Sequence, residues 1–131
     1  MRIHYEAFFI LNKLSSSLKN DIEFKHITTE YKPAISHEHL YGIEAKFLIT
    51  GYGNDDVNEG YKVKLISCES EELRELYNQI AVPHITLSIA ENGKAVNTKN
   101  LLFMPIDEHV VTAKFGGFLN KPIFEEEVSH V

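Results

Sequence analysis

The sequence contains the tripeptide His-Ile-Thr twice, within the stretches FKHITTEY (residues 24–31) and VPHITLSI (residues 82–89). Both stretches are rich in residue types that favour β-strands. Side chains at positions i and i+2 of a strand point to the same face, and the residue between them points to the other. The first stretch is therefore predicted to place His26 and Thr28 on one face, with Ile27 in the core behind them.

The second stretch follows the same pattern about half the chain length later. His84, Thr86 and Ser88 are predicted to share one face of a strand, and Ile85 and Leu87 the other. Such a strand, apolar on one face with an imidazole and a hydroxyl on the other, occurs twice in this small protein. The repetition predicts one site assembled from two similar halves of the chain.

Two imidazoles and two hydroxyls suit chemistry at a phosphodiester. Cleavage requires one proton to leave the attacking oxygen and another to reach the leaving oxygen, and imidazole can perform both transfers near neutral pH. The hydroxyl groups of Thr28 and Thr86 can donate hydrogen bonds to the non-bridging phosphate oxygens, where negative charge grows in the transition state. The residues themselves do not indicate which histidine is the acid and which is the base.

Paired His-x-Thr/Ser motifs on strands in the two halves of a small domain resemble the two-histidine (2H) phosphoesterase superfamily, which includes the RNA 2′,5′-ligase/cyclic phosphodiesterase-like proteins. The specific motifs in this sequence are residues 26–28 and 83–86. The resemblance implies an α+β fold of two lobes related by a pseudo-two-fold axis. Two antiparallel sheets would form a central cleft, with helices outside and with the two histidine strands central and side by side across the cleft.

The resemblance also implies an activity. The protein would be a metal-independent phosphodiesterase without a cofactor, with His26, Thr28, His84 and Thr86 as catalytic residues. Its substrate would be a nucleotide or RNA phosphodiester: a 2′,3′-cyclic phosphate or a short cyclic or linear oligonucleotide. Tyr31, whose ring can stack on a base, and Ser88 are predicted to bind the substrate.

Length and composition are typical of one globular domain spanning residues 1–131. The net charge of −6 argues against a long nucleic acid duplex as a partner and favours a nucleotide or an RNA end. Lysines flank both motifs (Lys25, Lys32, Lys94 and Lys99) and leave room for a local basic pocket. Nothing in the sequence indicates the oligomeric state.

The location is predicted to be cytoplasmic. No apolar run approaches the ~18 residues of a membrane span, and the beginning of the chain lacks the features of a signal peptide. Cys68 is the one cysteine, which fits a reducing compartment.

Two other functions compete with a phosphodiesterase. The cleft could bind a nucleotide or an RNA end without cleaving it. Alternatively, His37 and His39 could combine with one motif histidine to hold the metal ion of a hydrolase.

The remaining sequence predicts the elements around the motifs. Ser70 is placed to cap a helix that continues to Ile80, with an apolar stripe at helical spacing. A short helix is predicted at residues 12–19 and a long turn at residues 51–60. The further predicted strands are residues 5–11, 41–52, 61–66, 100–106 and 110–118.

Overall fold

A computed structural model describes residues 3–125, so both ends of the predicted domain, residues 1–2 and 126–131, lie outside the described part. The fold is mainly antiparallel sheet with few helices. The elements in chain order are β1 (Tyr5–Ile10), β2 (Asn20–Asp21), β3 (His26–Tyr31), a 3₁₀ helix (Glu38–Leu40), β4 (Glu44–Asn54), β5 (Asn58–Cys68), α1 (Glu71–Asn78), β6 (His84–Ile89), a second 3₁₀ helix (Ala95–Asn100), β7 (Met104–Phe118) and β8 (Pro122–Ile123).

The strands form one antiparallel sheet in the order β2-β6-β5-β4-β7-β1-β3, with β8 paired to β7. Separate sheets were expected, but the long strand β7 pairs with β1 on one side and β4 on the other and so joins the two halves. The histidine strands were expected at the centre. Instead β3 ends the strand order at one side, and only the two-residue β2 lies beyond β6 at the other.

The sheet is strongly curved. Five strand steps separate β6 from β3, which in a flat sheet would be about 24 Å at ~4.8 Å per step. Nevertheless β3 and β6 lie beside each other, with Cα atoms within 8 Å, although they are not paired strands of the sheet. Curvature therefore brings together two strands that are far apart in strand order.

The core covers the sheet face opposite the motifs. Phe8 packs edge-on against Phe47 and Phe115, and all three rings are fully buried. Ile27 and Ile85, the middle residues of the two tripeptides, are also fully buried in this core. The alternation predicted for both motif strands is thus confirmed.

Helix α1 agrees with the sequence prediction in position and cap. The Leu73 backbone N–H donates to Ser70 Oγ at 3.1 Å, which satisfies one of the free donors of the first turn. Leu73 and Tyr77 are buried, and the Tyr77 hydroxyl donates to the Val63 carbonyl oxygen of β5 at 3.2 Å. The apolar stripe of the helix therefore packs on the sheet.

Three local predictions were wrong. Residues 12–19 are not helical, because Ser17 and Leu18 form hydrogen bonds with Glu59 and Ser88 instead. Most of the predicted turn at 51–60 is strand, with a short connection at residues 55–57. The two strands predicted at 100–106 and 110–118 are replaced by one, β7, preceded by a 3₁₀ helix.

Candidate active site

A single cleft of about 650 Å³ contains both His-x-Thr pairs. Its volume is within the usual range for sites that bind small molecules. The residues that line it are Tyr5, Ile22, His26, Thr28, Tyr31, His84, Thr86, Lys94, Ala95, Val96 and Lys99. All four residues predicted to be catalytic thus lie in the same cavity, as does Tyr31.

The two histidines are held by the same local hydrogen bond. His26 Nδ1 lies 2.7 Å from the Phe24 carbonyl oxygen, and His84 Nδ1 lies 2.7 Å from the Val82 carbonyl oxygen. Because a carbonyl oxygen only accepts, Nδ1 carries the proton in each ring, and Nε2 of the neutral imidazole has a free lone pair. Each bond spans two residues, so the equivalence of the two motifs extends from sequence to side-chain geometry.

Both imidazoles favour the neutral form. Burial lowers the pKa of His26 below its usual value of 6.5, and a positive charge on His84 lowers it further, whereas the bond to the Phe24 carbonyl opposes this shift. The pKa of His84 is also lowered, first by burial and then by the positive charge of Lys99, against the effect of the Val82 carbonyl. The two rings are thus close enough for the charge of one to affect the other.

The two threonines differ in their surroundings. Thr86 is nearly buried, and its hydroxyl forms a hydrogen bond of 2.9 Å with Thr98 Oγ1. Thr98 is fully buried in the second 3₁₀ helix and also accepts a bond of 3.0 Å from Asn58 Nδ2. The hydroxyl of Thr28 is partly exposed in the cleft and has no hydrogen-bond partner within residues 3–125. Thr86 is held in place, whereas Thr28 is free to meet a ligand.

Aromatic rings form the wall beside His26. Tyr5 stacks on the His26 ring at a centroid distance of 4.7 Å, and burial raises the pKa of the Tyr5 hydroxyl to about 12. Tyr31 lies nearly parallel to Tyr5 at 6.2 Å and is 70% exposed. An exposed ring on a stack of this kind can receive a base or a sugar face.

The wall beside His84 carries the charge of the cleft. Lys94 and Lys99, at the beginning and near the end of the second 3₁₀ helix, line it, and no carboxylate does so in the part of the chain that the structure describes. The sequence left open whether these lysines were only surface residues. By contrast, Lys25 forms an ion pair with Asp21 at 2.7 Å and does not line the cleft.

Ser88 does not belong to the cleft, so its predicted role in binding is not supported. It is fully buried, and its hydroxyl donates to Glu59 Oε1 at 2.7 Å and accepts a bond of 3.1 Å from the Leu18 backbone N–H. The segment containing Ser17 and Leu18 covers this end of β6. Ser88 lies on the face of β6 that the alternation predicts, but other residues of the chain cover its side chain.

The pair His37 and His39 does not join the motif histidines. His37 Nδ1 lies 2.8 Å from Glu6 Oε1, and His39 Nε2 lies 3.1 Å from the carboxylate of Glu72. Within residues 3–125, the one group with the spacing of metal ligands is Glu6, Glu30 and His37. Glu6 in that group is already satisfied by donors from His37 and Tyr41, and neither motif histidine takes part.

Sequence reasoning missed two contributors to the cleft. Tyr5 lies in the predicted strand at residues 5–11 and was not assigned to the site, because its stacking on His26 depends on the pairing of β1 with β3. Thr98 had no signal in the sequence, since its contact with Thr86 is made by the 3₁₀ helix Ala95–Asn100, and no element was predicted at residues 95–99.

No protein-family model matches this sequence, and no curated protein is significantly similar to it. The structure contains no helix within residues 3–125 whose length and apolar content would allow it to cross a membrane.

Proposed function

We propose that this protein is a phosphodiesterase that hydrolyses a nucleotide or RNA phosphodiester, a 2′,3′-cyclic phosphate or a short oligonucleotide, by general acid–base catalysis with His26 and His84. The observation that carries the proposal is that both His-x-Thr pairs line one cleft, with each imidazole anchored through Nδ1. One wall of the cleft carries two lysines and no carboxylate from residues 3–125, although the net charge of the protein is −6. This local positive charge further favours an anionic substrate.

In the proposed reaction, the phosphorus atom lies between the two imidazoles. The neutral histidine takes a proton from water through Nε2 while the water oxygen forms a bond to phosphorus. The other histidine, which the negative charge of the bound phosphate favours in its protonated form, gives its Nε2 proton to the leaving oxygen as the bond from phosphorus to that oxygen breaks. The two imidazoles supply both proton transfers, so the mechanism requires no metal ion.

The threonines and lysines stabilise the charge that grows on the non-bridging oxygens. The Thr28 hydroxyl has no partner among the described residues and is available to donate to one of these oxygens. Thr86 donates its single hydroxyl hydrogen to Thr98 in the free protein, so it can donate to a phosphate oxygen only by exchanging that bond when the substrate binds. Its β-branched side chain is restricted at χ1, which keeps the hydroxyl oxygen in position for this exchange. A donor that is held near the developing charge stabilises the transition state.

We also propose that the two halves are related by a pseudo-two-fold axis, as in the 2H phosphoesterases. The matching bonds from Nδ1 to the carbonyl two residues earlier support this relation. So does the matching burial of Ile27 and Ile85 behind the motifs.

The test is turnover of 2′,3′-cyclic mononucleotides and short cyclic and linear oligonucleotides, with products identified by mass spectrometry. His26→Ala and His84→Ala are each expected to reduce the rate by about 10²- to 10⁴-fold, the usual contribution of a general acid or base. His109→Ala is a matched control, since His109 is exposed on β7 away from the cleft. Circular dichroism should give the same spectrum for all variants.

Either of two results would reject the mechanism. One is near-wild-type turnover in His26→Ala or His84→Ala. The other is tight binding of these nucleotides without any product, which would identify the protein as a non-catalytic module that binds a nucleotide or an RNA end.

A further inference from the structure

The distribution of charge in the cleft is uneven. Of the residues that line it, Lys94 and Lys99 are the two with a permanent charge, and both are on one wall. Neither forms an ion pair with a carboxylate of residues 3–125. The protein as a whole has 19 acidic residues against 13 basic ones, so a wall with two lysines and no carboxylate from residues 3–125 is a local exception.

The segment that carries these lysines is anchored firmly. Asn58 Nδ2 donates to the Lys94 carbonyl oxygen at 2.7 Å and to Thr98 Oγ1 at 3.0 Å. Thr98 and Asn58 are both buried, and Thr98 packs over Gly60, which has no side chain to obstruct it. The backbone beneath the two ammonium groups is therefore fixed relative to β5 and β6.

The two lysines lie on the β6 side of the cleft, because the 3₁₀ helix that Lys94 precedes and that contains Lys99 packs on β5 and β6. Lys99 is near enough to His84 for its charge to lower the pKa of that imidazole, whereas the aromatic wall of Tyr5 and Tyr31 adjoins His26. The aromatic rings thus lie on the His26 side of the cleft and the lysines on the His84 side. A single phosphate between the imidazoles would bring one anionic group to a cleft that carries two lysines.

We propose that the cleft binds a substrate with a second phosphate group, held by Lys94 and Lys99, while a base stacks on Tyr31. The preferred substrate class is then a short oligonucleotide rather than a mononucleotide with a single phosphate. This inference rests on the proposed function for its account of the scissile phosphate. The anion site itself depends only on the lysines and the cleft.

The experiment compares two dinucleotides that share one scissile diester: ApA, and the same dinucleotide with phosphates at both ends, pApAp. The wild-type protein is expected to favour pApAp by about tenfold in kcat/KM, which corresponds to about 1.4 kcal/mol of differential binding. The ratio should fall towards one in the Lys94→Gln/Lys99→Gln double variant. It should also fall as ionic strength rises, because salt screens exposed charges.

Lys64→Gln is the matched control, since it removes one positive charge from an exposed position of β5 that does not line the cleft. It should keep the preference for pApAp. A binding measurement that does not require turnover accompanies the kinetics: calorimetric titration of adenosine 3′,5′-bisphosphate against adenosine 5′-monophosphate. The bisphosphate should bind about tenfold more tightly, and the double variant should lose this advantage.

The outcomes separate the two proposals. Equal kcat/KM for ApA and pApAp in the wild type, or a preference for pApAp that persists in the double variant, would refute the second-phosphate site. Neither result would contradict the proposed phosphodiesterase activity. Absence of turnover, together with bisphosphate binding that depends on Lys94 and Lys99, supports the anion site and refutes the phosphodiesterase.

Discussion

Replacement of Ser88 by alanine separates a structural role from a role in substrate binding. The sequence predicts that Ser88 shares the face of His84 and Thr86, but the structure buries it against Glu59 and Leu18. We therefore expect Ser88→Ala to lower the free energy of unfolding and to leave substrate binding and turnover nearly unchanged. Thr86→Ala should instead reduce turnover more than it reduces the free energy of unfolding.

The magnitude follows from the two hydrogen bonds that the substitution removes. The bond from Ser88 Oγ to the Glu59 carboxylate involves a charged acceptor, for which a contribution of about 1.5–3 kcal/mol is typical. The Leu18 N–H loses its acceptor, although Glu59 retains donors from Ser17 and Tyr52. Since losses around a shared group are not additive, we expect a total decrease of about 2–4 kcal/mol.

The decrease in the free energy of unfolding caused by Ser88→Ala should depend on pH. Burial alone would raise the pKa of Glu59, but the hydrogen bonds from Tyr52, Ser17 and Ser88 together lower it below its usual value of 4.5. Its contribution to stability is therefore present above pH 4.5 and is lost as the pH falls through the lower folded-state pKa. The gap between wild type and Ser88→Ala should narrow as the pH is lowered below 4.5.

Urea unfolding measures the effect, with a lower midpoint and an unchanged slope as the expected result. Ser67→Ala is the control, because Ser67 is an exposed serine of the neighbouring strand β5 and its loss should change stability by less than about 0.5 kcal/mol. A Ser88→Ala variant with wild-type stability and impaired kcat/KM would refute the assignment of Ser88 to the fold.

Two further predictions concern the histidines and the element that supports Thr86. Because burial lowers the pKa of His26 and of His84 in the folded state, the free energy of unfolding should be highest above pH 6.5 and decrease below it. NMR titration of the two imidazoles should give midpoints below 6.5, and midpoints above that value would contradict the partial burial of the rings as the cause. Gly60→Ala would place Cβ 2.5 Å from Thr98 Cγ2 and 2.6 Å from the Ile85 carbonyl oxygen, so we expect a loss of about 1–3 kcal/mol in stability together with reduced kcat/KM. Gly51→Ala, whose nearest contact would be 3.2 Å, should be milder in both measurements, and equal effects would argue against displacement of Thr98 as the cause.

Local periodicity accounts for what the sequence predicted correctly. Alternation placed Ala45, Phe47 and Ile49 in the core, and helical spacing with a serine cap located α1. The two His-x-Thr pairs came from the same rule, since i and i+2 share a face whatever the rest of the chain does. These features depend on residues within a few positions of one another.

The features that the sequence did not predict depend on contacts between distant residues. Residues 12–19 lose their predicted helix because Ser17 and Leu18 bond to residues 42 and 70 positions away. The same contacts cover Ser88. The extended strands around Gly53 and Gly60 replace the predicted turn, because these glycines give Leu101 and Thr98 room to pack. Local sequence patterns do not predict contacts between residues so far apart in the chain.

Curvature of the sheet links the fold to the site. A flat arrangement would put β3 and β6 about 24 Å apart, far beyond the reach of two imidazoles on one phosphorus. The approach of β3 to β6 therefore requires the sheet as a whole to curve back on itself. The register shifts between β1 and β3, between β4 and both of its neighbours, and between β5 and β6 are the kind of irregularity that adds such bend and twist. We therefore expect a substitution that restores regular pairing at one of these positions to move His26 and His84 apart without contacting either residue.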